Sequence, residues 1–323
     1  MAGVENVNVE DLLANEDASG IVAEEHWARK GEVDLYLVRK VVPSAREADP
    51  DRPVLFLVHG SSFSARTTYD LAIPGHGEYS LMNTFARLGY DVWTMDHEGY
   101  GRSTHTDGFS YIAEGVDDLR AAMPIVEAAT GASSFAFFGS SSGALRAGAF
   151  ANAAPERVER LGMAALVWTG EGSPSLIKRA ERIDEWRATN RRLADEATYE
   201  GIFSRDVTGL TIPELPKAAA AAEMENSGGS VPNGTYIDMC VNLPVIDPMA
   251  ITCPVLIFRG DHDGIATDED VLGFYSALAT TDKQIVMVSG QAHNTSLGIN
   301  RHRFWHVLHG FLTMPPRQDG ESE

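Results

Sequence analysis

Short apolar runs alternate with longer amphipathic stretches along most of this chain, and that alternation predicts an α/β fold. Residues 33–42 (VDLYLVRKVV) and 53–58 (PVLFLV) are β-branched or aromatic runs bounded by Gly, Pro and Asp, and they read as strands. A helix-like stretch near 79–88 leads to a strand at 91–95 (DVWTM), and a helical pattern over 111–129 leads to a strand at 134–138 (SFAFF). ALRAGAFANAA then predicts a helix stopped by Pro155, and 161–168 (LGMAALVW) a further buried strand. Near-continuous apolar strands separated by helices imply βαβ units and a mainly parallel sheet covered on both faces.

The rhythm breaks after Trp168. From about 171 to 246 the chain is mostly helical and polar, as in ERIDEWRATNRRLADEATY and KAAAAAEMEN, with turn-rich borders at GEGSP and NLPVIDP. Alternation resumes with a strand at 254–258 (PVLIF), a helix near 268–279, a strand at 284–288 (QIVMV) and a helix near 300–313. The expected organisation is a core over 1–170, a helical cap over 171–246, the second part of the core over 247–314, and a disordered tail at 315–323 (PPRQDGESE).

Composition narrows the function classes. With 323 residues, 44% of them hydrophobic and 22% charged, the chain can bury the core of one elaborated α/β domain. A formal charge of −20 repels phosphate backbones and anionic lipids, arguing against nucleic-acid or membrane-surface partners. No run reaches the roughly 18 apolar residues of a membrane span, and MAGVENVNVEDLLANEDASG lacks the regions of a signal peptide, so a cytoplasmic location is expected. Cys240 and Cys253 form no CxxC pair, which gives them reduced, structural roles. There is no HExxH or HxH pattern, and His302, His306 and His309 fall at helical spacing near the end of the chain, so neither metal nor cofactor is expected. The partner is then a small molecule, with a homodimer compatible with the sequence.

The sharpest chemical signal is Gly139-Ser140-Ser141-Ser142-Gly143, a G-x-S-x-G pentapeptide between the strand SFAFF and the helix ALRAGAF. A serine at such a turn is exposed above the sheet, and the following helix aims its N-terminal amides at the same spot. Serine needs a base, and the base needs a carboxylate to fix its tautomer. His293, in the loop after QIVMV, is the candidate base, whereas His59 and His97 precede Ser141 and fit the expected order Ser, acid, His badly. The acid is Asp261 or Asp263, in RGDHDG after PVLIF, or Glu171, just past the strand ending at Trp168; the residues alone leave the three open. An oxyanion hole would use the amide of Ser142 and a second amide from His59-Gly60-Ser61-Ser62, with Ser61 first and Ser62 second.

Together these segments resemble the α/β-hydrolase superfamily over about residues 25 to 313, with the strand plus HG at 54–60, Asp96 to Ser103 (DHEGYGRS), GSSSG, the GDHD loop and the GQAH loop in the family's order. The resemblance implies an eight-stranded, mostly parallel sheet with a helical cap inserted after the sixth strand. It implies Asp263 as the acid, three residues after the glycine, with Asp261 its turn-forming neighbour, and structural roles for Asp96 and Arg102. The HG loop departs from the HGGG form of many lipases and esterases. Haloalkane dehalogenases and epoxide hydrolases of this fold carry an aspartate at the position of Ser141; a serine supports acyl transfer instead. The expected activity is hydrolysis of a carboxylic ester or lactone through an acyl-enzyme, with C–C bond (diketone) or amide hydrolysis by the same triad, or a ligand receptor on the same fold, as alternatives. Trp186, Tyr199, Phe203, Met224, Tyr236 and Met239 of the cap are candidates to line the pocket.

Overall fold

The computed structural model describes residues 20–49 and 51–318. The strands are β1 (Val22–Lys30), β2 (Val33–Val41), β3 (Val54–Val58), β4 (Asp91–Met95), β5 (Phe135–Ser140), β6 (Val158–Ala164), β7 (Arg191–Leu193), β8 (Ser230–Pro232), β9 (Val255–Gly260) and β10 (Lys283–Val288). The helices are α1 (Pro43–Ala48), α2 (Ala65–Tyr69), α3 (Leu81–Arg87), α4 (Ile112–Thr130), α5 (Ser142–Ala153), α6 (Pro174–Ala180), α7 (Ile183–Ala188), α8 (Glu196–Ser204), α9 (Leu215–Ser227), α10 (Gly234–Val241), α11 (Asp268–Ala277) and α12 (Arg301–Leu312).

Eight strands form one sheet in the order β1-β2-β4-β3-β5-β6-β9-β10. Only β2 runs against its neighbours; the pairs from β4 across to β10 are parallel. Every residue of β3 and β4 is buried, because helices cover both faces. On one side α4, α5 and α11 pack Leu119, Val126, Leu145, Phe150 and Phe274 against Phe56, Phe137 and Ile257. On the other, α3 and α12 bring Phe85, Phe304 and Leu308 onto Leu57, Phe138 and Phe258. At about 25 cal/mol per Å² of apolar area removed from water, these two layers are the main force holding the sheet.

Three local expectations are corrected. β1 has no counterpart in the sequence reading, because its one-sided burial leaves VAEEHWARK without a run of apolar residues. The sixth strand ends at Ala164, not Trp168: Ala165 takes φ 53°, and Leu166 and Val167 are apolar because they enter the core, not because they are paired. The stretch read as helix between α7 and α8 contains β7, which pairs antiparallel with β8; the partner strand comes from a distant segment, so local pattern could not reveal it.

Helices α6 to α10 and the β7–β8 ribbon lie between β6 and β9. They have a third apolar cluster, in which Tyr199, Phe203, Leu215 and Ala219 pack with Phe63, Tyr79 and Tyr100 of the sheet's loops. Residues 314–318 carry neither helix nor strand, and 319–323 of the expected tail lie outside the described residues, as does the N-terminal segment 1–19. Among the described residues no helix is long and apolar enough to cross a membrane, and no group of three or more His, Cys, Asp or Glu side chains is arranged to hold a metal ion.

Candidate active site

The loops that follow β3, β5, β9 and β10 open at the same end of the sheet. β4 and β5 flank β3 on opposite sides, so the chain reverses its direction of winding there and leaves a crevice, the place where open α/β sheets bind ligands. Ser141 sits in the one-residue turn between β5 and α5 at φ 57° and ψ −126°, a conformation costly for any residue with a Cβ. Its amide is anchored to the carbonyl of Ala164 at 2.9 Å. The turn fits only because its flanks are glycines: a Cβ on Gly139 would lie 2.3 Å from the carbonyl oxygen of Gly143, and one on Gly143 would lie 2.1 Å from that of Val58.

His293, 152 positions away in sequence, places Nε2 2.8 Å from Ser141 Oγ. Its Nδ1 lies 2.8 Å from Asp263 Oδ1. The backbone N–H groups of Ile265 and Ala266 donate to that same Oδ1, at 2.9 and 3.0 Å. Burial alone would raise the Asp263 pKa; the His293 ring and the two amides outweigh it and hold the carboxyl below its ordinary range. Asp263 is therefore ionised and fixes Nδ1 as the protonated nitrogen, leaving the Nε2 lone pair for the serine hydroxyl.

Asp261 accepts the amides of Gly290 and Gln291 at 2.9 and 3.3 Å, tying the β9 loop to the loop that carries His293. Glu171 is exposed and lines a separate cleft with Trp168 and Glu269, away from the imidazole. Gly60 passes Ser141 closely enough that a Cβ there would lie 3.5 Å from the serine Cβ. The N–H groups of Ser61 and Ser142 have no hydrogen-bond partner among the described residues. Ser62 lies in the same loop, its hydroxyl 3.3 Å from the Tyr236 phenol.

This loop is gripped from the inserted segment. Arg192 of β7 donates to the carbonyl of Ser61, as does the Tyr100 hydroxyl, from the loop after β4 and outside that segment, at 3.2 Å. Tyr199 donates to the carbonyl of Ser62 at 2.9 Å. Glu223 of α9 accepts the Ser64 amide and hydroxyl at 2.6 and 2.7 Å. Asp206, after α8, accepts the amide of His293 itself at 3.1 Å.

Of the six residues expected to line the pocket, Tyr236 borders the cleft at Ser141 and Trp186 the adjoining one. Tyr199 and Phe203 instead stack beneath on Phe63, Met239 is buried in the core, and Met224 faces solvent. The cleft wall also holds Arg179, Ile202, Arg205 and Asn294, none of which the sequence singled out.

The remaining candidates are framework. Asp96 accepts the amides of Ala65 and Arg102 at 2.8 and 2.9 Å, and Arg102 pairs with Glu25 while lying over the Tyr36 ring. Of the three histidines near the chain end, His309 lies 3.0 Å from the Tyr90 hydroxyl and His302 packs edge-on to Trp305.

His59 and His97 are fully buried; His59 Nε2 accepts the His97 amide at 3.1 Å, and His97 Nδ1 lies 3.0 Å from Asp118 Oδ2. Burial holds both rings well below the ordinary imidazole pKa, with the charge of Arg146 adding to it. Below about pH 6.5 the unfolded chain takes up protons that these folded rings refuse, so stability falls with acid by up to about 1.4 kcal/mol per pH unit per ring. Asp96 opposes this: burial lifts its carboxyl to about 6, so below that pH protonation favours the fold. Two rings against one carboxyl leave a net loss, and the urea unfolding midpoint is expected to drop between about pH 7.5 and about pH 5.5. A midpoint constant or rising over that range would show that the two rings titrate normally.

The sequence profile of the family described as serine aminopeptidase, S33, matches residues 71–297. No curated protein matches significantly. Among solved structures, the enol-lactonase from Burkholderia xenovorans is similar at TM-score 0.64 and 18% identity, over 90% of this chain and 100% of that one. A bromoperoxidase from Bacillus anthracis reaches TM-score 0.67 at 17% identity over 90% and 100% of the two chains. The 2-hydroxy-6-oxo-6-phenylhexa-2,4-dienoate hydrolase from a Rhodococcus species reaches 0.65 at 15% over 90% and 99%. At these identities the likeness concerns the fold. With the family profile spanning most of its length on that fold, the chain belongs to the serine aminopeptidase S33 family and is a hydrolase of the α/β-hydrolase superfamily.

Proposed function

We propose that the protein hydrolyses a carboxylic ester or lactone through an acyl-enzyme on Ser141. The observation that carries this reading is the unbroken hydrogen-bonded chain from Ser141 Oγ through His293 to Asp263. Ser141 Oγ attacks the carbonyl carbon while His293 Nε2 takes the hydroxyl proton, and Asp263 stabilises the imidazolium that forms. The developing oxyanion is held by the amides of Ser61 and Ser142, at the N-terminus of α5 where the helix dipole favours negative charge. His293 returns the proton to the leaving alkoxide, which in a lactone stays tethered to the acyl group. Water then attacks the acyl-enzyme with His293 again as base, releasing the acid and restoring Ser141. The cap supplies the wall opposite the nucleophile and specificity with it.

A fluorophosphonate tests the nucleophile directly. Wild-type protein is expected to gain the mass of one adduct, and Ser141→Ala none. Unmodified wild type after prolonged incubation would overturn the assignment. Turnover of short p-nitrophenyl esters well above that of matched anilides and β-diketones is the expected order; the reverse would favour amide or C–C cleavage.

A further inference from the structure

The chain is strongly acidic, yet the wall facing Ser141 is cationic. Arg179 at the end of α6 and Arg192 in β7 lie on the ring of Tyr236, each with its guanidinium carbon 3.7 Å from the ring centroid. Arg179 and Arg205 border the cleft that contains Ser141 and His293. The adjoining cleft shares both and adds Lys178, Arg182 and Arg192, with no acidic residue in its lining.

These cations are not equally neutralised. Arg205 pairs with Asp206, and Arg182 with Glu185. Arg192 spends its donors on neutral oxygens, including the carbonyls of Ser61 and Pro232. Arg179 is half-buried and forms no ion pair among the described residues; the one hydrogen bond of its guanidinium among them goes to Met239 Sδ at 4.0 Å. The planar donor fork of Arg179 therefore meets no carboxylate, and an arriving one fills it with a charge-assisted, bidentate pair. Tyr236 reports the local field. Burial by itself would raise its pKa, but Arg192 and Arg179, with the Ser62 hydrogen bond and Arg205 adding to them, pull the phenol down to about 7.

We infer that the arginine-lined wall around Tyr236 is a carboxylate subsite, and that the substrate is an ester or lactone carrying a second, free carboxylate on its acyl chain, held by Arg179 while Ser141 attacks the scissile carbonyl. This rests on the serine-hydrolase reading above. Arg179 acts in specificity and does not touch the reacting atoms.

The test compares p-nitrophenyl hydrogen glutarate with p-nitrophenyl pentanoate, matched in chain length and differing in the terminal charge. Wild type is expected to favour the glutarate ester in kcat/KM by about 10- to 100-fold. Arg179→Met should collapse that ratio by a similar factor and Arg179→Lys restore part of it; because the readout is a ratio, a general loss of activity cancels. Free glutarate should also slow fluorophosphonate labelling of wild type and not of Arg179→Met. A wild type that labels and cleaves the neutral ester with no preference for the charged one, and no glutarate protection, overturns the subsite alone. A wild type that takes no adduct and cleaves neither ester overturns the hydrolase reading beneath it.

Discussion

Ser141→Ala is expected to lower kcat on a p-nitrophenyl ester by about 10⁶-fold, the scale seen when the nucleophile of a serine triad is removed. The substitution deletes one oxygen and keeps the Cβ, so the strained turn at φ 57° is neither relieved nor worsened. The melting temperature and KM should therefore change little while turnover collapses to what the oxyanion amides alone provide. A rate within tenfold of wild type would place the nucleophile elsewhere.

Asp263→Asn is expected to cost about 10⁴-fold in kcat. The amides of Ile265 and Ala266 already donate to Oδ1, which also faces the imidazole. An asparagine that keeps its carbonyl oxygen at the Oδ1 position satisfies the two amides and Nδ1 but places no negative charge beside the imidazolium, whereas one with its NH₂ group turned to the ring forfeits those amides and selects the tautomer with its proton on Nε2. The serine then loses its acceptor. Glu171→Gln, on an exposed side chain remote from the ring, should leave the rate within about twofold. Rates measured under single-turnover conditions separate the two outcomes; a near-normal Asp263→Asn would mean that another group orients His293.

The central sheet was readable because strands such as β3 and β5, buried on both faces, must be apolar at nearly every position. β1 was not, since an edge strand with one exposed face can be built from Glu, His and Arg. That Ser141, Asp263 and His293 would meet was readable because each follows a recognisable strand and the crevice collects what strand ends carry. The choice of Asp263 over Asp261 and Glu171 needed the family resemblance, and only the packed loops give it a physical reason. Arg179, Arg192 and Arg205 were invisible for a different reason. In a polar helical segment an arginine reads as a solvated face, and their convergence on Tyr236 depends on how α6, α8, β7 and α10 pack together. The same holds for Tyr199 and Phe203, whose aromatic character signals burial without saying whether the neighbour is a ligand or Phe63.

Arg192, Tyr199 and Glu223 reach out of the inserted segment to hold the backbone between Ser61 and Ser64. On the serine-hydrolase reading proposed above, the segment is thus a splint for the reactive centre as well as its roof. A chimera that transplants another relative's roof onto this scaffold would bring a new specificity wall but lose the splint, and should hydrolyse even small activated esters poorly until residues equivalent to those three are transplanted with it. Trimming the roof to widen the entrance meets the same obstacle, so engineering of substrate range is better aimed at the arginine face than at the segment as a whole.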